Sequence, residues 1–292
     1  MVEQFLNYLR YERNRSELTV LRYAKSLSDF ETYIRGMDEG LTWGSVDTDV
    51  IRGWMESLMD QGKKAASVNA DLAAVRTFFR FALSRRMVDH DPAHLVQGPK
   101  KEKPLPQFLK ESEMNELLDE VEWGNTYKDV RARTIILLFY EAGLRRAELR
   151  DLNDADVDFT AKQLKVTGKR DKQRIIPFGD EVETTLKHYM EVRDREVEKK
   201  SDALFLSPKG ERITAAAIYT DVKKNLSRVS TLKKRSPHVL RHTFATALLN
   251  HQAGLESVRQ LLGHESLETT EIYTHTTFDQ LRRVYKEAHP RG

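Results

Sequence analysis

The 292-residue sequence has no cysteine. Disulfides, cysteine-ligated zinc, iron–sulfur clusters and thiol nucleophiles are therefore excluded. A secreted disulfide scaffold falls with them, and a cytoplasmic location is expected. Proline and glycine are sparse, with 8 and 14 residues, which excludes a collagen-like or low-complexity chain. No apolar run reaches 18 residues, so no membrane span or membrane partner is expected. The first fifteen residues interleave Glu3, Arg10, Glu12, Arg13 and Arg15 with apolar side chains, so no targeting leader is expected. Neither sign of charge dominates: 48 Lys and Arg face 45 Asp and Glu, for a net charge of +3. That total says nothing about partners, and the distribution must decide. What the chain does contain is a hydrophobic fraction of 39%, enough for a core in one large or two ordinary domains.

The first hundred residues read as helices. Val20, Tyr23, Leu27, Phe30 and Ile34 recur at three- and four-residue steps on one face. Ile51, Trp54, Met55 and Leu58 do the same, as do Val68, Leu72, Val75, Phe78, Phe79 and Ala82, with Ser67 as the expected N-cap. With a short helix near Phe5 to Leu9, four helices form an expected bundle over residues 1–97. Residues 98–106 read Gly-Pro-Lys-Lys-Glu-Lys-Pro-Leu-Pro, which cannot continue a helix and suits a basic, extended linker. Residues 107–292 form the expected second domain. It starts helical after Ser112, and the apolar run Ile135 to Tyr140 belongs to a helix ending near Gly143. The period then changes: Gln163 to Thr167 and Arg174 to Phe178 read as strands around a hairpin turn at Gly168 to Lys172. Leu204 to Leu206 reads as a further short strand. Helices return at Glu181 to Lys199, Thr214 to Val229, Pro237 to Asn250 and Leu255 to Leu262. The expected fold class is thus mainly α with a small antiparallel sheet, in two domains.

Charge is local. Residues 223–241 hold seven basic side chains and no acidic one, and the hairpin from Lys165 to Arg174 adds five against Asp171. The acidic excess lies elsewhere, as at Glu111 to Glu122. Such blocks can present a basic face to phosphate.

Chemistry concentrates where Ser236-Pro237-His238-Val239-Leu240-Arg241-His242 opens a helix. Ser236 suits the N-cap and Pro237 the first helical position. His238 and Arg241, three residues apart, share a face of the first turn with its free N–H groups. That is an anion site, and a guanidinium fork matches two phosphate oxygens. Leu261-Leu262-Gly263-His264 places a histidine just past a helix stop. Ala142-Gly143-Leu144-Arg145 presents an arginine beside another, and Glu148 is placed to orient an arginine by an ion pair. Tyr273 follows His264 by nine residues. Singly, each residue has an ordinary structural explanation.

Together they resemble the signature of the tyrosine recombinases, most nearly the short Xer-type members. The resemblance rests on Gly143-Leu144-Arg145, Gly168-Lys169 in a hairpin, His238-Val239-Leu240-Arg241-His242, Leu262-Gly263-His264 and Tyr273, in that order. Thr243-Phe244-Ala245-Thr246 and Thr269-Thr270-Glu271-Ile272-Tyr273 also look like that family. One departure is the hairpin word Gly-Lys-Arg-Asp-Lys, where such proteins often have Gly-Lys-Gly. Position after the strand favours Lys169 over Lys172 as the mobile lysine.

The resemblance implies a SAM-like core-binding domain followed by a catalytic domain, clamped around double-stranded DNA. It implies strand cleavage through a 3′-phosphotyrosine, without metal, ATP or other cofactor. Tyr273 is then the nucleophile. Arg145 and Arg241 stabilise the phosphoryl charge, His264 donates to it, and Lys169 protonates the leaving 5′-oxygen. His238 contacts the phosphate or accepts the tyrosine proton. A homo-tetramer, or a hetero-tetramer with a paralogue, is implied on two duplexes. Phe278, Leu281, Val284 and Tyr285 form an apolar stripe that either packs on its own domain or, as the resemblance implies, docks a neighbouring protomer. Xer-like resolution of chromosome dimers is the expected role. Integration or inversion of a mobile element, a non-cutting DNA-binding regulator of the same fold, and a histidine-ligated metallohydrolase are the alternatives.

Overall fold

The computed structural model describes residues 1–100, 107–168, 171–263 and 283–291. The chain divides into two compact units, Met1–Pro104 and Leu105–Gly292. Most of the linker read from the sequence at 98–106 lies outside the described residues.

The first unit is helical. Helix α1 (Val2–Asn7) widens into a π turn at Tyr8–Glu12, and α2 (Glu17–Met37), α3 (Thr48–Asp60) and α4 (Ala65–Ser84) follow. The apolar stripes read from the sequence face one core. Val20, Leu27, Phe30, Ile51, Val68, Leu72, Phe78 and Phe79 are fully buried there. Phe5, Phe30, Trp43, Trp54 and Phe78 pack ring against ring, which adds directional preference to area burial. Ser67 is not the cap of α4. The helix begins at Ala65 after Lys64, one turn earlier than the polar residue suggests. Asp47 does cap α3, accepting from the N–H groups of Asp49 and Val50.

The second unit is built on α6 (Tyr127–Ala142), with α5 (Glu111–Asn115) before it and α7 (Arg146–Asp151) after it. Its apolar run has no polar face because α8 (Asp180–Glu196), α9 (Ala215–Leu226) and α10 (Pro237–Asn250) surround it. Ile135 through Ala142 are all buried. Helix α6 stops at Gly143, whose φ of +56° is left-handed. A Cβ there would lie 2.4 Å from the Phe244 ring, so glycine is required on both counts.

A three-stranded antiparallel sheet, β1 (Val157–Asp158), β2 (Gln163–Thr167) and β3 (Gln173–Pro177), covers one side. Register pairs Val166 with Arg174 and Leu164 with Ile176. The Leu204 to Leu206 segment is not a strand; it contributes only one isolated bridge, Leu206 with Arg212. Helix α11 (Leu255–Leu262) ends at Gly263, again left-handed at φ +61°.

Residues 283–288 are helical; Tyr285 and Ala288 are buried with Phe244, Leu248 and Leu261 of the same unit, and the buried His289 ring packs on Phe244. Tyr285 Oη donates to Glu141 at 2.9 Å, and Arg291 pairs with Glu181 at 2.7 Å. Of the apolar stripe read in the tail, Phe278 and Leu281 lie outside the described residues. No helix among the described residues is long and apolar enough to cross a membrane.

Candidate phosphoryl-transfer site

The site begins with two glycine stops. Gly143 turns the chain out of α6 so that Arg145, in extended conformation, precedes α7. The backbone N–H of Arg145 donates to Glu148 Oε2 at 2.7 Å, and its Nη1 donates to Glu148 Oε1 at 2.7 Å. The ion pair expected from the three-residue spacing is formed. Ser236 stands at the N-cap of α10 and Pro237 at its first position, although the Ser236 hydroxyl makes no cap bond.

Three arginines converge on the end of α11. Arg174 donates from Nε to the carbonyl of Leu261 at 3.0 Å. Arg241 donates from Nη2 to the next carbonyl, Leu262, at 2.5 Å. Arg145 donates from Nη2 to the third, Gly263, at 2.6 Å. Consecutive carbonyls orphaned by the helix end are thus each held by a guanidinium. Arg241 also bonds the Gly143 carbonyl at 2.5 Å, joining the two glycine stops.

One carboxylate faces all three. Glu148 accepts from Arg174 Nη1 and Nη2 at 2.7 and 2.9 Å and from Arg145, while Arg241 stands 3.9 Å away. Burial alone would raise the Glu148 carboxyl. The hydrogen bonds and charge of Arg174, then the bonds from Arg145, outweigh it and hold the group at about 2. Among the described residues, three guanidiniums face one carboxylate, an excess of two positive charges. Arg241 registers this: burial first, then the charge of Arg145 with a smaller part from Arg174, push it down to about 9, against the pull of Glu148. It remains a cation at neutral pH, in a place that favours an added anion.

His238 sits on the rim. Desolvation, then the charges of His242, Arg241, Arg146 and Arg145, lower its imidazole below the ordinary range, so it is neutral at pH 7 and able to accept a proton.

The structure therefore brings together Arg145, Arg241 and the rim residue His238. Lys169, His264 and Tyr273 lie outside the described residues. Their neighbours in the chain are placed: Gly168, just before Lys169, has its Cβ position 3.4 Å from Glu148 Oε1 and 3.8 Å from Arg145 Nη1. Gly263, just before His264, has its carbonyl on Arg145. Arg174 was missed by reading the sequence. Its signal was the two-residue period: it shares the buried face of β3 with Ile176, where a charge needs a partner.

A cationic centre of this kind, on a mixed unit that follows a helical one, has the donors that arginine-based phosphoryl transfer requires. Comparison with known proteins narrows the class. The phage integrase family model matches residues 107–280, and the phage integrase N-terminal SAM-like domain matches residues 2–86. A tyrosine recombinase XerD from Oceanobacillus iheyensis is 35% identical, over 100% of this chain and 98% of its own. A tyrosine recombinase XerC from Chlorobaculum tepidum is 37% identical, over 99% of this chain and 94% of its own. Among solved structures, a XerH site-specific recombinase bound to difH substrate, a pre-cleavage complex, is similar at a TM-score of 0.70. It is 25% identical, with 97% of this chain and 83% of that chain covered.

The chain belongs to the phage integrase family, and its full-length relatives are Xer-type tyrosine recombinases. Its activity is site-specific recombination by strand cleavage and religation. The mainly α, two-domain class with a small antiparallel sheet, expected from the sequence, is the one found.

Proposed function

We propose that the chain cuts and rejoins double-stranded DNA through a 3′-phosphotyrosine at Tyr273, in a Xer-like resolution of chromosome dimers in the cytoplasm. The observation that supports this most is the arginine cluster at the end of α11, which among the described residues carries an excess of two positive charges. Tyr273 attacks phosphorus and forms the P–O(tyrosine) bond. The bond to the 5′-oxygen breaks, and Lys169 delivers a proton to that leaving oxygen. His238, neutral at pH 7, takes the phenol proton. Arg145 and Arg241 hold the non-bridging oxygens, and His264 donates to one of them. The covalent link keeps the phosphodiester energy for religation, so the scheme uses no metal and no nucleotide.

Two duplexes and four active sites call for a tetramer, of one chain or with a paralogue. The tail helix around residues 283–288 is the element proposed to dock on a neighbouring protomer. In the single chain it covers its own unit.

The test uses nicked duplexes carrying a site selected by binding from random-sequence DNA. The native chain should form a covalent adduct, and Tyr273→Phe should abolish it while binding persists. An adduct formed by the Phe variant would remove Tyr273 from its role. Binding without any adduct from the native chain would favour a non-cutting regulator.

A further inference from the structure

We propose that Arg174 is a positioning residue of the reaction, which locks the β2–β3 hairpin onto the Glu148–Arg145 pair and the end of α11. The inference rests on the reading above, in which that hairpin carries the general acid. Arg174 is 8% exposed and spends three directed bonds on two other elements. Its Nη1 and Nη2 form a fork on Glu148 of α7, and its Nε reaches the Leu261 carbonyl of α11. Its own backbone sits in β3 opposite Val166 of β2. Two residues further into the turn, Gly168 N–H donates to the Lys172 carbonyl at 2.7 Å and closes the hairpin.

The two sides of the hairpin meet the same atom. Glu148 Oε1 accepts from Arg174 Nη1 and Arg145 Nη1, both at 2.7 Å, and it faces Gly168. The Arg174 stem also fills the space beside Gly263, where a Cβ would stand 3.2 Å from its Cδ. A salt bridge serving stability alone needs one carboxylate. This guanidinium instead fixes the distance and angle between the strand that leads to Lys169 and the arginine proposed to hold phosphate. A lysine at 174 would keep the charge but lose the planar fork and its third bond.

The closing experiment compares native chain and Arg174→Lys on two suicide duplexes of the selected site. One has the ordinary phosphodiester. The other has a bridging 5′-phosphorothiolate, whose sulfur leaves as a thiolate and needs no proton from the protein. In both, the P–O(tyrosine) bond forms; in the second, P–S breaks. Arg174→Lys should bind as the native chain does and cleave the ordinary duplex about 100-fold more slowly, the loss expected of a general acid displaced by an ångström. On the phosphorothiolate it should approach the native rate. Lys169→Ala run alongside should show the same rescue, and failure of that rescue would overturn the proposal, which places the general acid at this point of the hairpin. Equal slowing on both duplexes, no slowing on either, or loss of folding and binding in both Arg174→Lys and Arg174→Gln would overturn the proposal. Absence of adduct from the native chain on both duplexes would instead overturn the recombinase chemistry itself.

Discussion

Replacing Glu148 with glutamine probes the balance of charge at the arginine cluster. The carboxyl is 3% exposed, and its folded value of about 2 lies well below the ordinary 4.5. Because that value is depressed in the fold, the stabilisation is present above pH 4.5 and lost as pH falls through 2. The drop corresponds to about 3 kcal/mol, which agrees with removing one partner from a buried ion pair. Glutamine keeps the shape and can still accept hydrogen bonds, but Arg174 and Arg241 then sit buried beside a neutral group. Denaturant unfolding at pH 7 should therefore find Glu148→Gln less stable by about 3 kcal/mol, and at pH 3 the gap should shrink to less than half. Other carboxylates titrate in both proteins and cancel in the difference. A gap of equal size at pH 7 and pH 3 would refute the reasoning, because shape rather than charge would then be what glutamine lacks.

Burial pushes the Glu141 carboxyl up to about 8 while the bond from Tyr285 pulls it down, so it carries a proton at neutral pH and its contribution fades as pH climbs towards 8. Burial lowers His289 in the same contact to about 4, which gives the opposite slope only below pH 6.5. The catalytic unit should thus lose about 1.5 kcal/mol between pH 6.5 and 8. Glu141→Gln should flatten that loss in thermal melts, and an unchanged slope would dismiss Glu141 as its source. Gly143→Ala should destabilise by about 1 to 3 kcal/mol, from the Phe244 clash and the left-handed backbone; a melting temperature equal to that of the native chain would contradict this. Arg241→Ala should cut adduct formation by about 100-fold or more, scored by gel on nicked duplexes, and near-native adduct yield would rule out contact with phosphate.

Much of this was legible in the sequence, for identifiable reasons. Helix α10 runs from Pro237 to Asn250 as read, because a serine–proline pair marks its start unambiguously. Helix α11 ends where Gly263 stops it, and β2 matches its Val-containing run. The polar residues Ser67 and Ser112 misled, since α4 and α5 begin before them at Ala65 and Glu111. Strand β1 has only two residues, too few to establish a period. The site was legible in part: motif spacing picked out Arg145, His238 and Arg241. The period of β3 marks Arg174 as a charge on a buried face but does not identify its partners, because Glu148 and Leu261 lie 26 and 87 residues away along the chain. Contacts at that separation depend on tertiary folding and leave no local pattern.

The three carbonyls at the end of α11 have a thermodynamic consequence. A free arginine side chain gives up about 2 kcal/mol of rotamer entropy when it is immobilised. Arg145 and Arg241 are immobilised already, by Gly263 in the first case and by Gly143 and Leu262 in the second. Among the described residues, each keeps N–H groups beyond those bonds on a guanidinium whose plane is set by the protein. In the proposed reaction, an incoming phosphate would meet donors that need not search for their orientation. The folding of α11, rather than the arrival of a ligand, therefore bears the ordering of the donors proposed to bind phosphate.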